Sequence, residues 1–167
     1  MHRLLLWLWK VLPLSRRVRW LAMWLINTKF LVGVVGVIFD AQGRVLLAHH
    51  TYRRRIPWGL PGGWIGGTER VEEALARELR EETGFTVEVS EILHAGSGHR
   101  RPQIDLYYLC TYRAGEFLPN AEIDELRFFD PEKLPEPLLP HQRAVIDRGL
   151  ARWRERQVLE LEDRTGG

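Results

Sequence analysis

Cysteine is almost absent from this chain: among 167 residues there is one, Cys110. A lone thiol excludes an internal disulfide, and no Cys/His spacing resembles a zinc site. The expected compartment is therefore a reducing cytoplasm. Cys110 lies in a strand-like run from Ile104 to Tyr112, with no histidine pattern around it, and reads as a small core residue rather than a nucleophile. Acid is missing over a long stretch, for no Asp or Glu precedes Asp40. No apolar run approaches the roughly 18 residues of a membrane-spanning helix. The first apolar run is short and is ended by Lys10, which does not suit a secretory signal. The net charge of +2 is too close to balance to argue by itself for a nucleic-acid partner.

The acid-free start is the first of three regions. Residues 1–29 form an apolar, basic, tryptophan-rich arm, 30–157 have the length and composition of one domain with a real core, and 158–167 read as a frayed tail. In the arm, Leu4 to Trp9 and Trp20 to Ile26 are apolar runs, with Arg3, Lys10, Arg16, Arg17, Arg19 and Lys29 around them. Pro13 separates the runs, and two short helices are expected. Such an arm has three uses. It packs on its own domain or on a second copy in a homodimer, it lies on an anionic membrane through residues 3–26, or it covers the active site or reads the substrate. Tryptophan beside arginine also suits RNA stacking, but nothing else in the chain supports a specific nucleic acid.

Beyond the arm, Phe30 to Phe39 is a near-continuous valine-rich run expected as a buried strand. Asp40-Ala41-Gln42-Gly43 is a turn, and Arg44 to Ala48 returns as a second strand. Phe85 to Leu93, Ile104 to Tyr112 and Leu126 to Phe129 read as further strands, and His141 to Glu155 as an amphipathic helix. Tyr107 and Tyr108 alternate on their strand, so one is expected to face in and one out. Helices interleaved with mixed strands imply an α/β sandwich.

The segment Val71 to Thr83 is rich in Ala, Leu, Glu and Arg, all good helix formers. Thr68 or Glu69 is expected to cap its start, and Gly84 to close its end in a left-handed conformation. At 100° per residue, Val71, Ala74, Leu75 and Leu79 form the inward stripe, while Glu73, Ala76, Arg80 and Thr83 face water. Glu78 and Glu82 fall within that inward stripe and Glu81 on its margin. As i, i+3 and i+4 neighbours their carboxylates converge. Burying and crowding like charges is unfavourable unless a cation compensates, and Mg²⁺ binds through a few carboxylates plus substrate phosphates. The plainer alternative is a solvated acidic face paired with Arg at i, i+4.

Gly63, then Glu69, then Arg77-Glu78-Leu79-Arg80-Glu81-Glu82-Thr83-Gly84-Phe85 resembles a complete Nudix box. Thr68 stands where many relatives carry glycine. The resemblance implies the Nudix fold, an α/β/α sandwich with a mixed sheet, here with an N-terminal helical arm. It also implies a diphosphohydrolase that cleaves a nucleoside diphosphate linked to another group. By this similarity Glu78, Glu81 and Glu82, with the Gly62 carbonyl, bind Mg²⁺ or Mn²⁺. Arg77 orients the acids, and Gly63, Glu69 and Gly84 shape the loop and helix. The group that takes the proton is Glu78 or Glu122, the latter because Glu122 to Phe129 resembles the family's acidic loop. Arg53, Arg55, Tyr52, Trp58 and Arg101 are candidate substrate contacts, with His99 and Arg100 near the last. The substrate classes implied are oxidised nucleotides, nucleotide sugars, ADP-ribose and CDP-alcohols. A membrane-seated arm adds lipid-linked diphosphates. The alternative from another class is a non-catalytic nucleotide sensor on the same fold.

Overall fold

The computed structural model describes residues 15–97 and 101–165. Arg3, Lys10, Pro13 and the first tryptophan-rich run, with His99, Arg100 and the last two residues, lie outside the described residues. The chain divides into two compact units between Phe30 and Leu31.

The first unit contains helix α1, Arg16–Ile26. Ser15 caps it, its hydroxyl accepting the Val18 N–H at 3.4 Å. Asn27 ends it in an extended conformation, and its side-chain amide donates to the Met23 carbonyl at 2.7 Å. None of the helix residues is buried. Trp20 and Trp24, one turn apart, stack with centroids 6.5 Å apart, and the Lys29 ammonium lies 4.4 Å from the Trp24 ring centroid.

The second unit is a mixed sheet between two helices. Its strands are β1 (Leu31–Phe39), β2 (Val45–His50), β3 (Trp58–Gly59), β4 (Gly62–Trp64), β5 (Thr86–Ser97), β6 (Gln103–Ala114) and β7 (Ile123–Phe129). The spatial order is β3-β2-β1-β6-β5, with β4 paired to β1 and β7 to β2. β1 and β6 run parallel and the other pairs antiparallel. Helix α2 is Val71–Thr83, and α3 is Pro140–Thr165, which continues past the expected end at Glu155 through most of the supposed tail.

The apolar run of β1 is continuous because both faces are covered. Val34 and Ile38 pack with Ala74, Leu75 and Leu79 of α2. Val37 and Phe39, on the other face, pack with Val145 and Ile146 of α3. Each such fully buried aliphatic side chain stabilises the fold by about 1.5–3 kcal/mol. The double cover corrects one expectation. Tyr107 and Tyr108 do alternate, but both are buried, one in each layer. Cys110 is buried in the α2 layer, and burial pushes its thiol up to about 12, so it stays protonated and inert.

Helix α2 starts and ends where its composition predicts, but its cap differs. Arg70 is the N-cap, and its N–H donates to Glu73 at 3.3 Å. Glu69 cannot serve there because its carboxylate is held by Arg77 and the Gly66 N–H. Gly84 closes the helix at φ 74°, as expected. Thr83, expected in water, is buried: its hydroxyl donates to the Leu79 carbonyl and accepts from the Phe85 N–H, so the polar group is satisfied inside.

Candidate active site

The sequence Leu60-Pro61-Gly62-Gly63 brings strand β4 alongside the acidic face of α2. A Cβ on Gly63 would stand 2.1 Å from Glu78 Oε2, and one on Gly62 would stand 2.1 Å from the Val34 carbonyl. A side chain at Gly62 would therefore push the strand off the sheet, and one at Gly63 would displace the Glu78 carboxylate. Gly62 also has φ +152°, which L-residues rarely adopt. Its N–H donates to Glu82 Oε2 at 2.9 Å.

Glu82 is the buried acid of the set, 9% exposed. Burial lifts its carboxyl to about 7. The Gly62 hydrogen bond and Arg53 oppose that rise, while Glu78 and Glu122 add to it. Arg77 binds the others together. It forms a fork on Glu69 (Nε 3.0 Å, Nη2 2.8 Å) and reaches Glu78 at 2.8 Å, Glu81 at 3.1 Å and the Trp64 carbonyl at 3.2 Å. These bonds hold the Arg77 guanidinium firmly charged, through Glu69 first and Glu78 second, and hold Glu69 below the usual carboxylate range. Glu69 thus ties the Gly66 loop to the helix.

Glu122 lies in an exposed turn that Asn120 shapes. Asn120 Oδ1 accepts from the N–H groups of Glu122 and Ile123, both at 2.9 Å, and its Nδ2 donates to the Glu82 backbone carbonyl at 2.9 Å. Asn120 therefore fixes the acidic turn to the end of the helix. Pro119-Asn120 is a turn signature in the sequence, but its link to Glu82 is a tertiary contact that no local pattern contains.

Among the described residues, no three His, Cys, Asp or Glu side chains stand ready to cage an ion. The reason is visible in the hydrogen bonds: Glu78 and Glu81 are turned onto Arg77. The donor set nonetheless suits a hard divalent cation. Glu78 and Glu82 lie against the glycine strand with Glu81 beside them on the same helix, and Glu82 is destabilised first by burial and then by its acidic neighbours.

The same glycine strand lines a cleft of about 400 Å³, with Tyr52, Arg53, Asp105 and Gln142 among its other walls. Arg53 is half-buried there, and its charge is felt by Glu82, His50 and Tyr107. Gln142 is buried, and its amide oxygen accepts from the Leu60 N–H at 3.2 Å, steadying the turn into β4. Strand register sets Trp64, Gly33, Asp105 and Gly96 in one row across four strands. A Cβ on Gly33 would come within 2.5 Å of Asp105 Oδ1, so the missing side chain makes room for that carboxylate. Gln103 holds it with hydrogen bonds of 2.8 and 3.1 Å. Asp105, Gln103 and Gln142 carry no sequence signal, because strand pairing and the start of α3 bring them to the cleft. A larger cavity, about 670 Å³, is lined by Phe39, Phe85, Tyr112 and Trp153. Unlike the smaller cleft, it is lined by neither Gly62 nor Gly63, the glycines that touch Glu82 and Glu78.

Of the basic and aromatic substrate candidates, Tyr52 and Arg53 line the cleft, while Arg55 and Arg101 are exposed and outside its walls. Trp58 is half-buried and lies outside the cleft walls; it pairs with His49 across β2–β3 and packs edge-on against Phe129 at 4.9 Å and His49 at 5.2 Å.

The profile of the NUDIX domain matches residues 29–150. The chain belongs to the Nudix hydrolase family. It is similar to the ADP-ribose pyrophosphatase of Methanocaldococcus jannaschii, 31% identical over 131 residues that cover 74% of each chain. It is also similar to the NAD-capped RNA hydrolase NudC of Vibrio vulnificus, 32% identical over 122 residues, 68% of this chain and 44% of that one. This Nudix chain therefore spans less than half of the NudC protein. Among solved structures, an ADP-ribose pyrophosphatase from Streptococcus suis superposes with a TM-score of 0.64 at 27% identity, over 75% of this chain and 93% of that one.

Proposed function

We propose that this Nudix chain is a divalent-metal-dependent diphosphohydrolase that cleaves a nucleoside diphosphate joined to a second group. The observation that carries the reading is the buried Glu82 carboxyl. It is lodged beside Glu78 against the N–H of Gly62, which lines the same cleft as Arg53. Glu78, Glu81 and Glu82, with the Gly62 carbonyl, are the ligands for Mg²⁺ or Mn²⁺. A bound divalent ion supplies charge neutralisation for the diphosphate and a more acidic attacking water.

The chain's own residues do the rest. Arg77 holds Glu78 and Glu81 in one orientation, and Glu69 anchors Arg77 to the loop. Arg53 meets a phosphate oxygen from the far wall. Glu78 takes the proton of the attacking water, as the half-buried acid beside Gly63; Glu122, exposed on its turn, is the second candidate. Asp105 receives the nucleoside end. A carboxylate repels phosphate but accepts O–H and N–H donors of a ribose or base. A relative named as an ADP-ribose pyrophosphatase supports ADP-ribose as the first substrate to test, followed by other nucleotide sugars, oxidised nucleotides and CDP-alcohols.

The test is product release from ADP-ribose and those compounds with Mg²⁺, with Mn²⁺ and with EDTA. The reading expects turnover of at least one compound, lost in EDTA. Tight binding of a nucleotide with no turnover in either metal would favour a sensor instead.

A further inference from the structure

The proposed chemistry draws no residue from the first unit, whose helix α1 presents an unusual surface. We propose that α1 seats the protein on an anionic lipid bilayer. No residue of the helix is buried, and Trp20, Leu25 and Ile26 are 66%, 62% and 67% exposed. At 100° per residue Val18, Leu21 and Leu25 share one face and Arg16 and Arg19 the opposite one, which Met23 and Ile26 also share. Trp20 and Trp24 form a stacked column on the flank, beside Arg17. A helix lying in the plane of a membrane interface needs this arrangement: aliphatic residues toward the acyl chains, cations toward the headgroups, tryptophan at the boundary. With 11 residues the helix cannot cross a bilayer, and no helix among the described residues is long and apolar enough to do so.

Charge selects the occupant. The segment before Asp40 holds Arg3, Lys10, Arg16, Arg17, Arg19 and Lys29 and no acid. Two such arms placed together would set like charges side by side, so a second copy's arm is a poor partner. A nucleic acid would use the cations and tryptophans but leave Val18, Leu21, Leu25 and Ile26 in water. A bilayer with anionic headgroups takes both, since juxtamembrane basic residues are drawn to its negative surface potential. Two weak signals, apolar insertion and charge, then act together.

The experiment is co-sedimentation of the full chain with phosphatidylcholine vesicles, with and without phosphatidylglycerol. Binding is expected to the anionic vesicles, at least tenfold weaker to the neutral ones, and weakened by salt. The variants W20S/W24S and R16E/R17E should each lose about tenfold or more of that binding, with unchanged thermal melting and unchanged hydrolysis of a soluble substrate. Four results would overturn the proposal. These are no sedimentation with either vesicle, equal binding to both, variants that bind like the wild type, or tighter binding to single-stranded RNA than to anionic vesicles. None depends on which compound the cleft hydrolyses.

Discussion

The Glu82 carboxylate accepts the Gly62 N–H at 2.9 Å while only 9% exposed. One hydrogen bond thus joins the acidic helix to the glycine strand that lines the cleft. A buried carboxyl with acidic neighbours is unfavourable for folding alone, so its position is explained by what it binds. Glu82→Gln keeps an acceptor for Gly62 and removes the charge. Turnover should fall by about 10²-fold or more, while the metal-free melting temperature at neutral pH stays level or rises. A large loss of stability would show that the carboxylate is structural.

Arg77 serves four partners through one planar fork, and Lys cannot reproduce that. Arg77→Lys should keep the charge yet lose about 10-fold or more in turnover. Its apparent Mn²⁺ affinity, read by titrating activity, should weaken with it. Activity and metal dependence equal to wild type would contradict the orienting role.

Asp105 is expected to govern binding rather than chemistry. Asp105→Asn, nearly isosteric, should raise KM for the best nucleotide substrate about 10-fold, equivalent to roughly 1.4 kcal/mol, with kcat little changed. Gly33→Ala, whose new Cβ would crowd Asp105 Oδ1, should act in the same direction. A fall in kcat at constant KM would move Asp105 from the nucleoside end to the reacting atoms.

His50 gives the pH dependence. It is 1% exposed, its Nε2 has no hydrogen-bond partner, and its Nδ1 lies 3.3 Å from the Tyr52 hydroxyl. Burial, then the charges of Arg53 and His49, lower it from 6.5 to about 4. Between these values the unfolded chain binds the proton and the folded one does not. Stability from this group is therefore present above about 6.5 and is lost as pH falls toward 4, by on the order of 2 kcal/mol. Chemical unfolding of wild type and His50→Gln across that range should show a shallower fall in the variant. Equal slopes would assign the acid sensitivity elsewhere.

The box helix was legible because its signals are local. Composition, periodicity and Gly84 together mark Val71–Thr83, and the inner stripe places Glu82 on the buried face. The cap was not legible, since Glu69 is taken by Arg77 and Gly66, contacts that exist only after the loop folds back. The contact of Trp58 with Phe129 was not legible either, since it rests on the β2–β3 register. Asp105 and Gly33 are 72 positions apart, and only the parallel β1–β6 pairing makes them neighbours. Helix and acids could be read from the chain, whereas the Asp105 side of the cleft depended on strand register.

The most direct test of the central claim is hydrolysis of ADP-ribose and the wider nucleoside diphosphate set by wild type and Glu82→Gln, each with Mg²⁺, with Mn²⁺ and with EDTA. The account predicts metal-dependent release of a nucleoside monophosphate by the wild type, abolished by EDTA and by the substitution. Turnover that persists in EDTA, or that survives in Glu82→Gln, would contradict it.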